Sequence, residues 1–209
     1  MAPRAYNNQT RQLQQVELKA RIAAAAADLH AERGVLASSY ADIAERAGVS
    51  LPTVYKHFPS QPELIAACTG HVAGQAPHLP ADLILGAATL PDAAAALVEG
   101  MDRIHAHLEP WASWREQRHV PALADFNAGN RQRSLGLIKA VLERHLPPGD
   151  HAATAAVWET LLHFEPWQRL VRDHKLSRAA VRRILLQLLL AVCGPQPAAV
   201  PTSSPTRKK

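Results

Sequence analysis

A short stretch near the N-terminal end could contact a polyanion. Thr53 and Tyr55 supply hydroxyl groups, and the next two residues, Lys56 and His57, supply an ammonium and an imidazole. Such groups donate hydrogen bonds to phosphate oxygens and reach the edges of bases in a duplex. The stretch therefore indicates a nucleic-acid surface, if one helix presents these side chains outward together with Leu51.

The surrounding residues predict the elements that would present them. Ser39 and Asp42 have the spacing of a capping box, which predicts that a helix begins after Ser39. Gly48 predicts where that helix ends. Ser50 can cap the next helix, with Pro52 in its first turn, where no amide partner is lost. Residues 39–58 thus predict a helix-turn-helix. An ordinary helical hairpin with a solvated face is the alternative interpretation.

The residues of this region resemble the DNA-binding domain of the tetracycline-repressor (TetR) family of bacterial transcriptional regulators. The resemblance covers about residues 16–68. It is carried by Arg21, Ile22, Gly34, the run 39–58 (SYADIAERAGVSLPTVYKHF), Glu63 and Leu64. It implies a homodimer in which each subunit uses one recognition helix to read a near-palindromic operator. It also implies that the larger C-terminal region binds a small effector and supplies the dimer interface.

Carried over by position, the resemblance implies a DNA-binding set. Ser39 and Tyr40 would meet the DNA backbone, and two residues of the recognition helix, Tyr55 and His57, would touch phosphate. Leu51, Pro52, Thr53 and Lys56 are better placed for base edges. The full set is Ser39, Tyr40, Ser50, Leu51, Pro52, Thr53, Tyr55, Lys56 and His57.

One position departs from the family pattern. Gln61 stands where the family commonly has a lysine at the start of the fourth helix, so a phosphate contact there would be neutral rather than ionic. Basic residues of the N-terminal extension could compensate by reaching a groove or the backbone, and an uninvolved tail is the alternative. These residues are Arg4, Arg11, Lys19 and Arg21.

Large aromatic residues in the C-terminal region predict an effector pocket. Trp111 and Trp114 lie three residues apart, on one face of a short segment that Pro110 would begin, and other aromatic residues follow on later helices. Aromatic walls with a few polar anchors are typical of small-molecule sites, although plain core packing is the alternative for each residue. The candidates are Met101, Trp111, Trp114, Arg118, Phe126, Trp158, Phe164 and Trp167.

The last helix predicts the dimer contact. It is apolar on nearly every side, as expected for a helix that is buried in a core or at a subunit interface. The helix before it, expected to run from about residue 150 to 174 with a kink at Pro166, would complete a four-helix contact about a two-fold axis. The interface candidates are Leu161, Leu162, Leu170, Val181, Leu185, Leu188, Leu189 and Val192.

Helical periodicity runs through the whole chain, so the predicted fold is all-α with about nine helices. We expect a three-helix helix-turn-helix domain at 16–68, a ligand-binding and dimerisation bundle at 78–194, and a disordered tail at 195–209. The 209 residues are 47% hydrophobic and 20% charged, which excludes wholesale disorder. The net charge of +5 is concentrated at the two ends of the chain, as expected for a protein with a polyanionic partner.

Other function classes have little support in the sequence. No apolar run is long enough to span a membrane or to act as a secretion signal, so we expect a cytoplasmic protein. The eleven histidines lack ligand-like spacing, and neither a nucleophile arrangement nor a cofactor motif is present. Taken with the resemblance, which implies a dimeric repressor released from its operator by a small molecule, the sequence predicts a protein that is not an enzyme and holds no metal. A metal-responsive regulator on the same fold and a helical enzyme using histidine acid–base chemistry are the alternatives.

Overall fold

A computed structural model describes residues 4–194, with side chains from residue 9 onward. The predicted tail at 195–209 and the side chain of Arg4 lie outside the described residues. The described part contains ten α-helices and no strand, which confirms the all-α prediction. The helices are α1 (Arg4–Arg33), α2 (Tyr40–Ala47), α3 (Leu51–His57), α4 (Gln61–Gln75), α5 (Ala81–Gly86), α6 (Leu90–Ala112), α7 (Pro121–His145), α8 (Ala152–Leu161), α9 (Phe164–Gln168) and α10 (Arg178–Ala191).

The first four helices enclose a core of their own. α1 contributes Ile22 and the small alanines around it, which let α2 and α4 approach closely, and Val54 anchors α3 from the opposite side. Both Ile22 and Val54 are fully buried. Because Val54 faces this core, the remaining side chains of α3 are turned outward.

The three predicted helix ends of the helix-turn-helix are confirmed, but one of them lacks the expected capping hydrogen bond. Ser39 and Asp42 form the expected capping box, and Gly48 ends α2 in the left-handed conformation at φ 64°. Ser50 occupies the N-cap position of α3, but its side chain makes no capping hydrogen bond. Its hydroxyl instead lies 2.8 Å from the hydroxyl of Thr53.

Helices α5 to α10 form a bundle around a second apolar cluster. Trp158, Trp167 and Leu142 are among its largest fully buried side chains. α6 packs against α10, and α7 packs against α8. Within residues 4–194, no helix is both long enough and apolar enough to cross a membrane.

The two internal prolines of the bundle act differently from the prediction. Pro110 lies inside α6, which continues to Ala112 rather than restarting there. The predicted kinked helix is two helices, α8 and α9, and the chain breaks before Pro166 rather than at it. Proline has no N–H to give to the carbonyl four residues earlier. That carbonyl, Leu162 O, lies 2.8 Å from His105 Nε2 instead.

Candidate nucleic-acid interface

Helix α3 presents the predicted recognition residues on its outer side. Tyr55 is 51% exposed, Lys56 is exposed, and Thr53 and His57 are partly exposed. Leu51 and Pro52, at the start of the helix, are exposed as well. The last turn carries Lys56 and His57, so the outward face of α3 combines hydroxyl, aromatic and basic groups. This face has the chemistry that phosphate and base-edge contacts require.

A tyrosine pair joins α2 to α3 on this face. The rings of Tyr40 and Tyr55 lie 4.8 Å apart, centroid to centroid, and are tilted by 38°. The Tyr40 hydroxyl is buried and has no hydrogen-bond partner within the described residues. Burial raises the pKa of Tyr40, and the nearby Tyr55 and Glu63 raise it further. The pair fixes the position of the more exposed Tyr55 ring.

A half-open cavity of about 150 Å³ lies beside the Tyr40–Tyr55 pair. Its lining includes Ser39 from the predicted DNA-binding set, and Gln61, which stands where the family commonly has a lysine. The structure therefore brings Ser39, Tyr40, Tyr55 and Gln61 to one place, although they come from three helices and a loop.

The start of α2 carries a tight polar network. Ser39 Oγ donates to Asp42 Oδ2 at 2.6 Å, and the Ser39 backbone N–H donates to the same oxygen at 2.9 Å. These hydrogen bonds, together with Arg33 at 3.0 Å, hold the pKa of Asp42 below its usual range. A contact from the Ser39 hydroxyl to phosphate would have to replace its hydrogen bond to Asp42.

Two of the predicted pocket residues instead join the bundle to α1. Trp111 Nε1 donates to Ala27 O at 2.7 Å, and Trp114 Nε1 donates to Ala31 O at 3.2 Å. Trp111 packs against the core of the N-terminal helices. The side chains of both tryptophans therefore contact α1 of the N-terminal helices.

Other predicted pocket residues lie deeper in the bundle. Phe164 and Trp167 pack with His105, with ring centroids 5.7–5.8 Å apart. Burial lowers the pKa of His105 to about 4. Trp158 is fully buried and donates to Leu189 O at 2.9 Å. The remaining candidates differ in exposure, since Met101 and Phe126 are partly buried and Arg118 is exposed.

The predicted dimer residues divide into two groups. Val181, Leu185 and Leu189 of α10, with Leu162 before α9, are buried in the protomer's own core and so cannot form the surface of a dimer contact. Leu188 and Val192 are 44% and 45% exposed, and two others, Leu161 and Leu170, are partly buried. Leu188 and Val192 thus lie beside the buried residues of α10 but remain accessible on the protomer's surface.

Sequence reasoning missed the contacts made by Glu116. This residue begins the 3₁₀ turn Glu116–Arg118, and its carboxylate accepts hydrogen bonds from the backbone of the loop between α1 and α2. The left-handed Gly34 in that loop was a visible signal, but nothing local to residue 116 marks it. Among residues 4–194, no three His, Cys, Asp or Glu side chains are placed to hold a metal ion.

Comparison with known proteins identifies the N-terminal region. Residues 22–68 match the profile described as bacterial regulatory proteins, tetR family. An HTH-type transcriptional repressor of Mycobacterium tuberculosis is 40% identical over 73 residues, which span 32% of this chain and 39% of that protein. These matches cover about a third of this chain and less than half of the mycobacterial relative.

Solved structures share the fold over most of the chain. A transcriptional regulator from Rhodococcus sp. Rha1 aligns over 86% of this chain and 99% of its own, with a TM-score of 0.65 and 20% identity. The transcriptional regulator FadR from Bacillus subtilis, solved in complex with stearoyl-CoA, aligns over 82% and 97%, with a TM-score of 0.63 and 19% identity. Both proteins are named as transcriptional regulators, and the likeness shows that this chain shares their fold.

Proposed function

We propose that this chain, a member of the tetR family of bacterial regulatory proteins, is a dimeric transcriptional repressor that a small molecule releases from its operator. The observation that carries the proposal is the outward face of α3. Val54 anchors that helix in the core, and Tyr55 and Lys56 are exposed beside it. The helix is short, with Pro52 in its first turn and basic residues in its last, so it can lie in a major groove with its N-terminal residues at the base edges. The repressor assignment takes its support from the name of the mycobacterial relative.

The dimer is proposed to form through α8 and α10. The hydrogen bond from Trp158 to Leu189 O ties these two helices together. Three apolar side chains remain on their outer side, Val157 at 40%, Leu188 at 44% and Val192 at 45% exposed. Packing this face against its copy would bury all three side chains, and a dimer that reads two half-sites needs its recognition helices about 34–36 Å apart, one turn of DNA.

Two substitutions on α10 test the dimer contact. Leu188→Glu places a charge on the exposed face, and we expect a folded monomer in light scattering at micromolar concentration. Leu185→Glu is the matched variant, since Leu185 is 4% exposed and packs in the protomer's core, and we expect it to lower thermal stability strongly. A wild-type chain that is a stable monomer at that concentration would contradict the proposal.

An effector is proposed to bind beside the aromatic cluster of the bundle. Phe164 is partly buried there, and Trp167 and His105 complete the cluster. A ligand that favours one arrangement of these helices would shift the population toward dimers whose recognition helices no longer match successive major grooves. The stearoyl-CoA complex of the FadR neighbour supports a ligand-binding role for a bundle of this fold.

Selection of bound duplexes from fragmented genomic DNA tests DNA binding directly. The selected duplex is then titrated with wild type and with Lys56→Ala at several salt concentrations. If Lys56 binds a phosphate, the slope of log affinity against log salt falls by about 0.9 and sequence preference is kept. If Lys56 reads a base edge, preference at one position is lost, at a cost of about 1–3 kcal/mol. Failure of the wild type to enrich any duplex would contradict the proposed function.

A further inference from the structure

The loop between α1 and α2 is held from outside its own domain. Glu116 Oε2 accepts the Val35 N–H at 2.5 Å, and Glu116 Oε1 accepts the Leu36 N–H at 2.9 Å. Gly34 precedes them at φ 84°, a conformation that favours glycine. A Cβ on residue 34 would lie 2.6 Å from Glu116 Oε1, so the glycine also leaves room for the carboxylate. The contact between Glu116 and this loop therefore depends on the glycine at position 34.

This loop leads directly into the DNA face. Ser38 Oγ donates to Gly34 O at 2.7 Å, and the next residue, Ser39, is the N-cap of α2. The first residue of α2, Tyr40, packs on Tyr55 of the recognition helix. The amides that Glu116 binds thus lie only a few residues along the chain from Ser39 and Tyr40, which would meet the DNA backbone.

A second set of hydrogen bonds ties the segment before Glu116 to α9. Arg115, itself left-handed at φ 54°, donates from Nη2 to Gln168 Oε1 at 3.0 Å. Gln168 Nε2 then donates to Ser113 Oγ at 2.8 Å. Gln168 is 9% exposed and follows Trp167 of the aromatic cluster. A displacement of α9 would therefore disturb Ser113 and Arg115, the two residues that flank Trp114. Arg115 is also the residue that precedes Glu116.

We propose that Glu116 is a positioning residue for DNA binding, which holds the α1–α2 loop in the shape that presents α2 and α3, and that α9 controls this hold through Gln168 and Arg115. The inference rests on the proposed function, because its consequence is measured on DNA. Glu116 itself touches no nucleic acid in this scheme. It acts through the backbone of Val35 and Leu36.

Amide hydrogen exchange, measured without DNA, tests whether Glu116 holds the α1–α2 loop in place. Glu116→Gln keeps the shape of the side chain but replaces one acceptor oxygen with an NH₂ group, which cannot accept from a backbone N–H. We expect the Val35 and Leu36 amides to exchange about tenfold faster, as the loss of a charged hydrogen bond predicts. Asp125→Asn, which removes an exposed carboxylate from α7, is the matched control and should leave both amides unchanged.

Substitution of Gln168 tests the link to α9. Gln168→Leu removes the hydrogen bonds to Arg115 and Ser113 but leaves Glu116 and the loop chemically intact. We expect faster exchange of the Val35 and Leu36 amides in this variant too, by a smaller factor than in Glu116→Gln. A purely local role for Glu116 would leave those amides unchanged when Gln168 is substituted. That result would overturn the link to α9.

Binding to a duplex selected by the wild type tests the consequence. We expect Glu116→Gln to bind it about tenfold more weakly, while Asp125→Asn stays within about twofold of the wild type. Glu116→Asp keeps the charge on a shorter side chain, so its affinity for the duplex should lie between those of Glu116→Gln and Asp125→Asn. It replaces the glutamine variant if that variant does not fold.

Three results are decisive, and they separate this inference from the proposed function. Unchanged exchange at Val35 and Leu36 in Glu116→Gln would overturn the hold. Faster exchange with unchanged DNA affinity would overturn the positioning role while leaving the proposed function intact. A wild type that selects no duplex would overturn the proposed function, and the positioning role with it, whatever the exchange data show about the loop.

Discussion

The helix-turn-helix region and the C-terminal bundle are specified over different distances along the chain. In the first, Ser39 and Asp42 close a capping box three residues apart, and Gly48 ends α2 beside them. In the bundle, Trp167 of α9 donates to Asp102 of α6, which lies 65 residues earlier. Arg178 and Arg182 of α10 reach the same carboxylate from still further along the chain. The comparison shows why one region has a recognisable sequence signature, while the other is defined only by its three-dimensional contacts.

Removal of a buried ring should break the bundle and spare the other region. Trp158 is fully buried, and we expect Trp158→Ala to lower the free energy of unfolding by about 3–5 kcal/mol. Urea unfolding gives the total loss, and amide exchange shows where it falls. Equal loss of protection by the amides of α1–α4 would show that the two regions unfold as one unit, and would contradict this expectation.

Acid should weaken both regions, because each buries one neutral histidine. Burial lowers the pKa of His30 to about 4, although the charge of Glu116 opposes the shift, and burial also lowers the pKa of His105 to about 4. The unfolded chain then binds more protons below pH 6.5, so stability is present above that pH and is lost as the pH falls toward 4.

The expected loss between pH 7 and pH 5 is about 2 kcal/mol for each histidine. Urea unfolding at the two pH values measures it. His105→Gln keeps a group that can donate to the Leu162 carbonyl but cannot titrate, so this variant should lose less stability over the same interval. Equal pH dependence in wild type and variant would show that His105 is not the source.

Substitution of Ser39 and of Ser50 tests how much a local capping hydrogen bond contributes to stability in the helix-turn-helix. Ser39→Ala removes a capping box and should cost about 1 kcal/mol. Ser50 holds the same position on α3, but its side chain caps nothing, so Ser50→Ala should cost only a few tenths of a kcal/mol. Thermal unfolding of the two variants gives the difference directly, and equal losses would mean that the capping bonds of Ser39 contribute nothing measurable.

The N-terminal helices could be predicted because their signals are local. Ser39 and Asp42 form the predicted capping box, and Gly48 is left-handed where the predicted helix ends. The capping role assigned to Ser50 failed because its hydroxyl pairs with Thr53 instead of a backbone amide. A single sequence does not show which of two nearby partners a hydroxyl selects.

The bundle could be predicted as helical, but the roles of its aromatic residues could not. Trp111 and Trp114 were grouped with Phe164 and Trp167 as pocket candidates, yet their indoles bond to carbonyls of α1 more than 80 residues earlier. Leu185 and Leu189 were grouped with Leu188, although the first two are buried in the protomer's core and Leu188 is 44% exposed. Composition marks a residue as apolar, and only packing decides what covers it.

A triple substitution tests whether α3 enters a groove of DNA. Tyr55→Ala, Lys56→Ala and His57→Ala are combined in one chain, and its affinity for a duplex selected by the wild type is measured by fluorescence anisotropy. Because three exposed contacts are lost together and Val54 is untouched, we expect a folded protein whose affinity falls by at least about a hundredfold. An unchanged affinity in a folded dimer would show that this helix does not contact DNA, and would contradict the account.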